Sequence, residues 1–371
     1  MKFRTAITVF VGSSALAFGG LVLGTRAQSP AAGQPEKTAS QQFKNIQVLK
    51  DIPADQLIPA MQFITASLGV DCEYCHVEHA FDKDDKKPKV TARKMMEMMI
   101  NINKENFDGH REVTCFSCHR GAAKPVAIPI ITAEVKVPEM MAGEAMPASS
   151  LPKPEDLLEK YLAAVGGPAD LQKVKTRVEK GTITVFGNKQ FPIEIYSKAP
   201  DMRISITHFA QGESVTAFNG KAGWLQVPGR VHMMNAQENS EARIDADATF
   251  AADVGKMYAK FATRAGETID GHDTWLVIGR NEGQPPLKLY LDQKTGLLLR
   301  MERYLDSPLG YNPTQIDYAD YRDSSGVKIP YKWTVARPNN RFTIQVSEVQ
   351  DNVPVEDSKF APPPPPPAPS H

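Results

Sequence analysis

Residues 70–79 read "VDCEYCHVEH" and place Cys72, Cys75 and His76 in the spacing C-x-x-C-H. The stretch "CFSCH" at 115–119 repeats that spacing with Cys115, Cys118 and His119, and the two motifs use all four cysteines of the chain. A four-cysteine zinc ribbon separates its pairs by about 15–20 residues. Here 39 residues lie between Cys75 and Cys115, and zinc gives no reason for a histidine directly after each pair. A thioredoxin-like dithiol needs one pair in a βαβ setting, which neither pair has. Covalent haem accounts for every residue type: two thiols add to two vinyl groups, and the adjacent imidazole meets the iron from one face. The expectation is two covalently attached haem c groups, on Cys72/Cys75 and Cys115/Cys118, with His76 and His119 as proximal ligands.

Each iron then needs a sixth ligand. Upstream, "PAMQFITASLG" reads as a helix from Pro59 that stops at Gly69 and carries Met61, whose thioether is a suitable soft ligand. Between the motifs, "VTARKMMEMMININ" at 90–103 is helical in composition, and Met95 shares a face with Met98 or Met99. A methionine stripe is ordinarily core packing, but two irons in want of ligands make at least one of these methionines a ligand candidate. His79 follows the proximal histidine by three residues and lies on its side of the iron, which makes it a bystander. His110 lies in a polar loop, and His208, His232 and His272 have no cysteine or acidic cluster beside them in sequence.

Around this centre the chain divides by composition. Residues 1–27 have Lys2 and Arg4, an apolar run from Ala6 to Leu23 and small residues at Thr25 and Ala27, the layout of an export signal cut after Ala27. An uncleaved N-terminal membrane anchor is the alternative, because the run approaches the length that spans a bilayer. The expected location is the periplasm. Residues 28–44 read as a flexible leader and 45–124 as the dihaem domain. Prolines at 125, 129, 138, 147, 152 and 154 mark a linker over 125–154. Residues 155–360 read as an antiparallel β domain, with alternating runs at 181–187, 191–197, 202–207, 273–279, 287–292 and 341–349. Helices are expected at Glu155–Val165 and over 245–263, the latter with Phe250, Val254, Met257 and Phe261 on one side. Residues 361–371 form a polyproline tail. Lys plus Arg and Asp plus Glu each number 43, so there is no basic field to attract nucleic acid.

The stretch from Met61 to Pro125, with both attachment motifs, "ARKM" and "CHRG", resembles one half of the tetrahaem cytochrome subunit bound to photosynthetic reaction centres. That resemblance implies Met61 as sixth ligand of the haem on Cys72/Cys75 and Met95 as that of the haem on Cys115/Cys118. It implies an electron carrier between a redox donor and acceptor, with a membrane-associated electron-transfer complex among the partners it admits. The chain departs from the family in having one half instead of two, no lipid-attachment cysteine, and a β domain at its end. The β domain in turn resembles the open curved sheets of periplasmic lipoprotein carriers, which implies room for an apolar ligand on a concave face. The fold class expected is therefore a small, mainly α and coil dihaem domain followed by an open antiparallel sheet or half-barrel with one or two helices. Two other functions fit the same residues: a haem enzyme such as a peroxidase, or a ligand-binding β module whose haems sense redox state.

Overall fold

A computed structural model describes residues 37–125, 151–185, 188–337 and 340–363. The expected export signal, most of the expected leader, residues 126–150 of the expected linker, and the expected tail from 364 onward lie outside the described residues. The first described segment is helical. Helix α1 (Ala39–Gln42) is capped by Thr38 and Gln41 in a reciprocal box, and Thr38 bridges to Pro53. The described residues thus begin inside the expected leader, and part of it is helix. A 3-10 turn at Ala54–Gln56 leads into α2 (Leu57–Leu68), two residues earlier than Pro59 suggested. Gly69 closes α2 in the left-handed conformation, as its position predicts. Helix α3 (Cys72–Cys75), α4 (Lys87–Asn106) and α5 (Cys115–His119) complete the helical region.

After the expected linker, α6 (Pro154–Ala164) matches the helix expected at Glu155–Val165 and ends before Gly166, which is in the left-handed region; a further short helix, α7 (Gly167–Lys173), follows. Six strands follow in order: β1 (Thr176–Val185), β2 (Lys189–Lys198), β3 (Met202–Phe209), β4 (Gly212–Asn219), β5 (Gly223–Val227) and β6 (Arg230–Met233). The stretch expected as one helix over 245–263 is divided. Helices α8 (Ala236–Ala246) and α9 (Phe250–Met257) are parted where Asp247 Oδ1 accepts the Thr249 N–H at 2.8 Å. Asn281 then takes up the far end of α9: its side chain donates to Met257 O and accepts from Ala259 N. Phe261 consequently lies in a strand, β7 (Lys260–Ala265), and not on the helix.

Strands β8 (Thr274–Arg280), β9 (Leu287–Asp292), β10 (Leu298–Ser307), β11 (Gly310–Ser324), β12 (Val327–Arg337) and β13 (Asn340–Asp351) finish the sheet. All thirteen strands form one antiparallel sheet in the order β6-β5-β4-β3-β2-β1-β13-β12-β11-β10-β9-β8-β7. The chain's first and last strands pair in its middle, fixed by the Arg177–Asp351 pair at 2.7 Å. Leu287, Leu289 and Leu291 share one buried face, as the period-two pattern requires. They belong to a large apolar cluster with α6 and α9, including Leu157, Tyr161 and Val254.

The helical region and the sheet meet through the tip of the β10–β11 hairpin. Leu309 at that tip is 1 % exposed and packs with Ala60, Phe63 and Ile64 of α2 and Met96 and Met99 of α4. Gly310 lies flush against the Phe63 ring, where any Cβ would collide with it. Arg111 grips the same hairpin, pairing with Asp306 at 2.6 Å and donating to Ser307 O, with its guanidinium 5.5 Å from the centre of the Tyr311 ring. Asn312 Nδ2 donates to Pro59 O at 3.0 Å, and Asn235 Nδ2 to Asp55 Oδ2 at 2.8 Å. Residues widely separated in sequence therefore complete the small core of the helical region.

Candidate haem attachment sites

Each C-x-x-C-H motif folds as a single capped helical turn. In α3, Asp71 is the N-cap and accepts the Tyr74 N–H at 3.0 Å. In α5, Thr114 is the N-cap and its N–H donates to Ser117 Oγ at 3.0 Å. One helical turn sets residues three apart on one face, so Cys72 and Cys75 flank one strip of α3, and Cys115 and Cys118 do the same on α5. The four thiols are not joined in disulfides. Burial pushes the thiols of Cys75 and Cys115 up from their ordinary value, so both are held neutral, the charge state a thioether also has. Among the described residues no group of three or more His, Cys, Asp or Glu side chains converges, so the two motifs do not build one shared site.

The proximal histidines are held alike. His76 Nδ1 donates to Phe81 O at 2.9 Å, and His119 Nδ1 donates to Ala122 O at 2.9 Å. A carbonyl can only accept, so each bond fixes the Nδ1–H tautomer and leaves the Nε2 lone pair to bind a metal. That is the orientation an axial ligand needs, produced twice by different loops. Gly121, two residues beyond His119, donates its N–H to Ser67 O at 2.9 Å. Gly69 lies so close to Gly121 that a Cβ on it would collide with the Gly121 carbonyl. The end of α2 is thus stitched to the second motif, while α3 packs on α4.

The methionines separate by face. Met96 and Met99 are buried at 7 % and 6 % exposure in the core with α2, whereas Met95 and Met98 stand out at 42 % and 48 %. Met95 therefore shares its face with Met98 and not with Met99. Met61 is half-buried on α2 beside that same core, with Cys115 also at its margin. Nine of the thirteen large apolar side chains exposed among the described residues lie between Ile58 and Phe116, including Tyr74, Phe81, Met95, Met98 and Phe116. A region this small exposes such surface where a bulky apolar group covers it, so the residues present fit haem on both motifs. His79 sits in a tight turn with φ +57°, and its side chain is 90 % exposed beside Glu78. His110 is exposed as well.

In the sheet domain, sequence reasoning missed the partners of three histidines. His208 meets Glu213 at 3.1 Å, His232 meets Glu238 at 2.8 Å and His272 meets Asp292 at 2.6 Å. Glu213 comes from the next strand, Glu238 from a following helix and Asp292 from the end of β9, two strands on, which local sequence does not reveal. The sheet also curls round a cavity of about 860 Å³. Ile183, Ile193, Ile316, Trp333 and Ile344 give it apolar walls, and Gln62 of α2 reaches it from the helical region. Charged groups line it too. Arg303, 4 % exposed, grips both oxygens of Asp245 at 2.8 and 2.7 Å and lies 2.5 Å from Glu241. Burial pushes the Glu179 carboxyl up from its ordinary value, against the pull of Arg203 and Arg177. No helix among the described residues is long and apolar enough to cross a membrane.

Comparison with known proteins gives two sets of similarities. Residues 24–205 match the family described as photosynthetic reaction centre cytochrome c subunit. The reaction center cytochrome c subunit of Roseobacter denitrificans is 32 % identical over 143 residues, 34 % of this chain and 38 % of that protein. Cytochrome c-554 of Chloroflexus aurantiacus is 34 % identical over 85 residues, 21 % of this chain and 20 % of that protein. The chain thus spans well under half the length of the curated relatives it matches. The solved structures that are similar cover the sheet. A DUF1329 family protein from Desulfovibrio piger has a TM-score of 0.41 at 13 % identity, over 56 % of this chain and 96 % of that one. A LolA superfamily protein from Nitrosomonas europaea has a TM-score of 0.37 at 14 % identity, over 57 % of this chain and 99 % of that one. The cysteine-bearing region therefore resembles reaction-centre cytochrome c subunits and is followed by an open antiparallel sheet.

Proposed function

We propose that this chain is an exported dihaem c-type cytochrome that passes single electrons between a redox donor and acceptor. The observation that carries the reading is the matched pair of capped C-x-x-C-H turns whose histidines both commit Nδ1 to a backbone carbonyl. Haem c, when bound, supplies a one-electron iron couple. The chain's own residues do the rest. Cys72, Cys75, Cys115 and Cys118 anchor the two groups, His76 and His119 hold Nε2 toward the metals, and Met61 and Met95 offer thioethers from α2 and α4. With a methionine and a histidine both holding its iron, each haem would have a high reduction potential, and no position on the metal would be left open for substrate. A reaction-centre-like complex at a membrane is one partner that the relatives' names suggest.

The test is the mass of the denatured chain together with a redox titration followed by absorption spectra. Two haems per chain are expected, one lost in each of the Cys72→Ala/Cys75→Ala and Cys115→Ala/Cys118→Ala variants. Met61→His and Met95→His should each remove one methionine-bound spectrum. If neither does, the ligand assignment fails. If Met61→His alters the haem on Cys115/Cys118 instead, the pairing of methionines with motifs is exchanged. A high-spin iron in the resting protein would point to a peroxidase-like enzyme.

A second reading rests on the cavity of the sheet, whose apolar walls suit an apolar or amphipathic ligand. Mass spectrometry of an organic extract of the purified protein would reveal bound lipid, and an empty extract from protein purified without detergent counts against it.

A further inference from the structure

The two proximal histidines differ in what else their carbonyl partners hold. Ala122 O accepts from His119 alone among the described side chains. Phe81 O accepts both from His76 Nδ1 at 2.9 Å and from Lys89 Nζ at 2.8 Å. Lys89 is 8 % exposed, a cost for an ammonium that only full pairing offsets. It has that pairing: its remaining donors reach Lys83 O at 2.7 Å and Asp84 Oδ1 at 3.0 Å, so all three N–H groups are used. Lys89 also lies in the first turn of α4, a turn with no acidic residue. A cation is disfavoured at a helix N-terminus by the aligned peptide dipoles. Nothing local to the helix explains a buried lysine there; the loop it grips does. Asp84 is itself clamped by Arg93 at 2.8 and 2.9 Å and by Asn45 at 2.9 Å, so the loop is fixed on several sides.

We propose that Lys89 is a positioning and tuning residue for His76, raising the reduction potential of the Cys72/Cys75 site and not that of the Cys115/Cys118 site. The proposal rests on the reading of His76 as an axial ligand. The reasoning runs through electron density. A histidine whose Nδ1–H meets a strong acceptor becomes a better electron donor at Nε2, which favours the oxidised metal. An ammonium on the same carbonyl draws density from it and weakens that acceptor. The fixed positive charge of Lys89, reinforced by the N-terminus of α4, also favours the state with one more electron. Both effects have one sign. The step is the gain of one electron from the donor protein, with no bond made or broken and no proton moved by Lys89.

The experiment is an optical redox titration of the intact haem-loaded protein and of Lys89→Met, Lys89→Gln and Lys89→Arg. Lys89→Met should lower one midpoint by about tenfold in the reduction equilibrium constant, which is 59 mV for a one-electron couple. The other midpoint should stay in place. Lys89→Gln, whose amide can keep a carbonyl contact without charge, should move the same midpoint in the same direction by less, and it reads the effect if the methionine variant does not fold. Lys89→Arg should remain within about threefold of the parent. Both midpoints unmoved, or both moved together, overturns the proposal while leaving the attachment reading intact. A parent chain without covalent haem at Cys72/Cys75 overturns both.

Discussion

The helical region and the sheet solve the burial problem in opposite ways. The sheet carries three apolar clusters built from its own strands and helices, with side chains such as Leu287, Leu289 and Val277 at 0 % exposure. The helical region has one small cluster, and a member of it, Leu309, is lent by the sheet. Most of the exposed large apolar side chains lie there too. Small domains bury too little surface to be stable alone and commonly rely on a covalent or metal staple. The difference teaches that the helical region depends on two things outside its own fold: the prosthetic groups its motifs are built to hold and the hairpin that enters it.

The largest effect on that comparison is expected at the hairpin. Leu309→Ala should cost about 3 kcal/mol, read by denaturant unfolding of the full chain, and limited proteolysis should then cut between 37 and 125 before it cuts the sheet. Equal protease resistance of the two regions in this variant would show that the helical region stands alone. A cost of similar size, about 3 kcal/mol, is expected in the sheet for Asp351→Asn, which leaves Arg177 without its partner. Burial pushes the Asp351 carboxyl up, but the Arg177 and Ser324 hydrogen bonds outweigh it and hold the group below its ordinary value of 3.8. Its contribution is therefore complete above that value and fades as pH falls through the lower folded value. The acid limb of the stability profile should be flatter in Asp351→Asn than in the parent, and an unchanged limb refutes the link.

Smaller effects sharpen the picture within the helical region. Gly69→Ala places a Cβ on the Gly121 carbonyl and in the left-handed conformation, at about 2 kcal/mol. It should loosen the second attachment turn first, seen as a shift in the spectrum of the haem on Cys115/Cys118 with the sheet's melting unchanged. His79→Ala should change stability by no more than about 0.5 kcal/mol and leave both haem spectra as they were. A lost axial signal in that variant would return His79 to the ligands.

Much of this was legible in residues alone. The C-x-x-C-H turns were legible because their residues lie at fixed short spacing and a one-turn helix needs only a cap beside them. The strands β1, β2 and β9 were legible because a half-buried strand alternates. Strands such as β10, with Arg300, Glu302 and Arg303 among its apolar residues, were not. Their charges are paired across the sheet or with α8, as Arg303 is with Asp245, and so break the pattern that periodicity detects. The helix expected over 245–263 failed at Asp247, Thr249 and Asn281, whose side chains take backbone bonds away from the helix.

By itself, then, the sequence determined the two C-x-x-C-H turns, the turn at Gly69 and the open antiparallel character of the second region. These depend on neighbours within a few residues. Only the tertiary structure decided which methionines face outward, which carbonyl each histidine holds, that Lys89 shares one of them, and that Leu309 completes a core begun at Ala60. Leu309 reaches Ala60 from far along the chain, while Phe81 and Ala122 meet their partners through loops that fold back over a few residues, and periodicity records neither kind of contact.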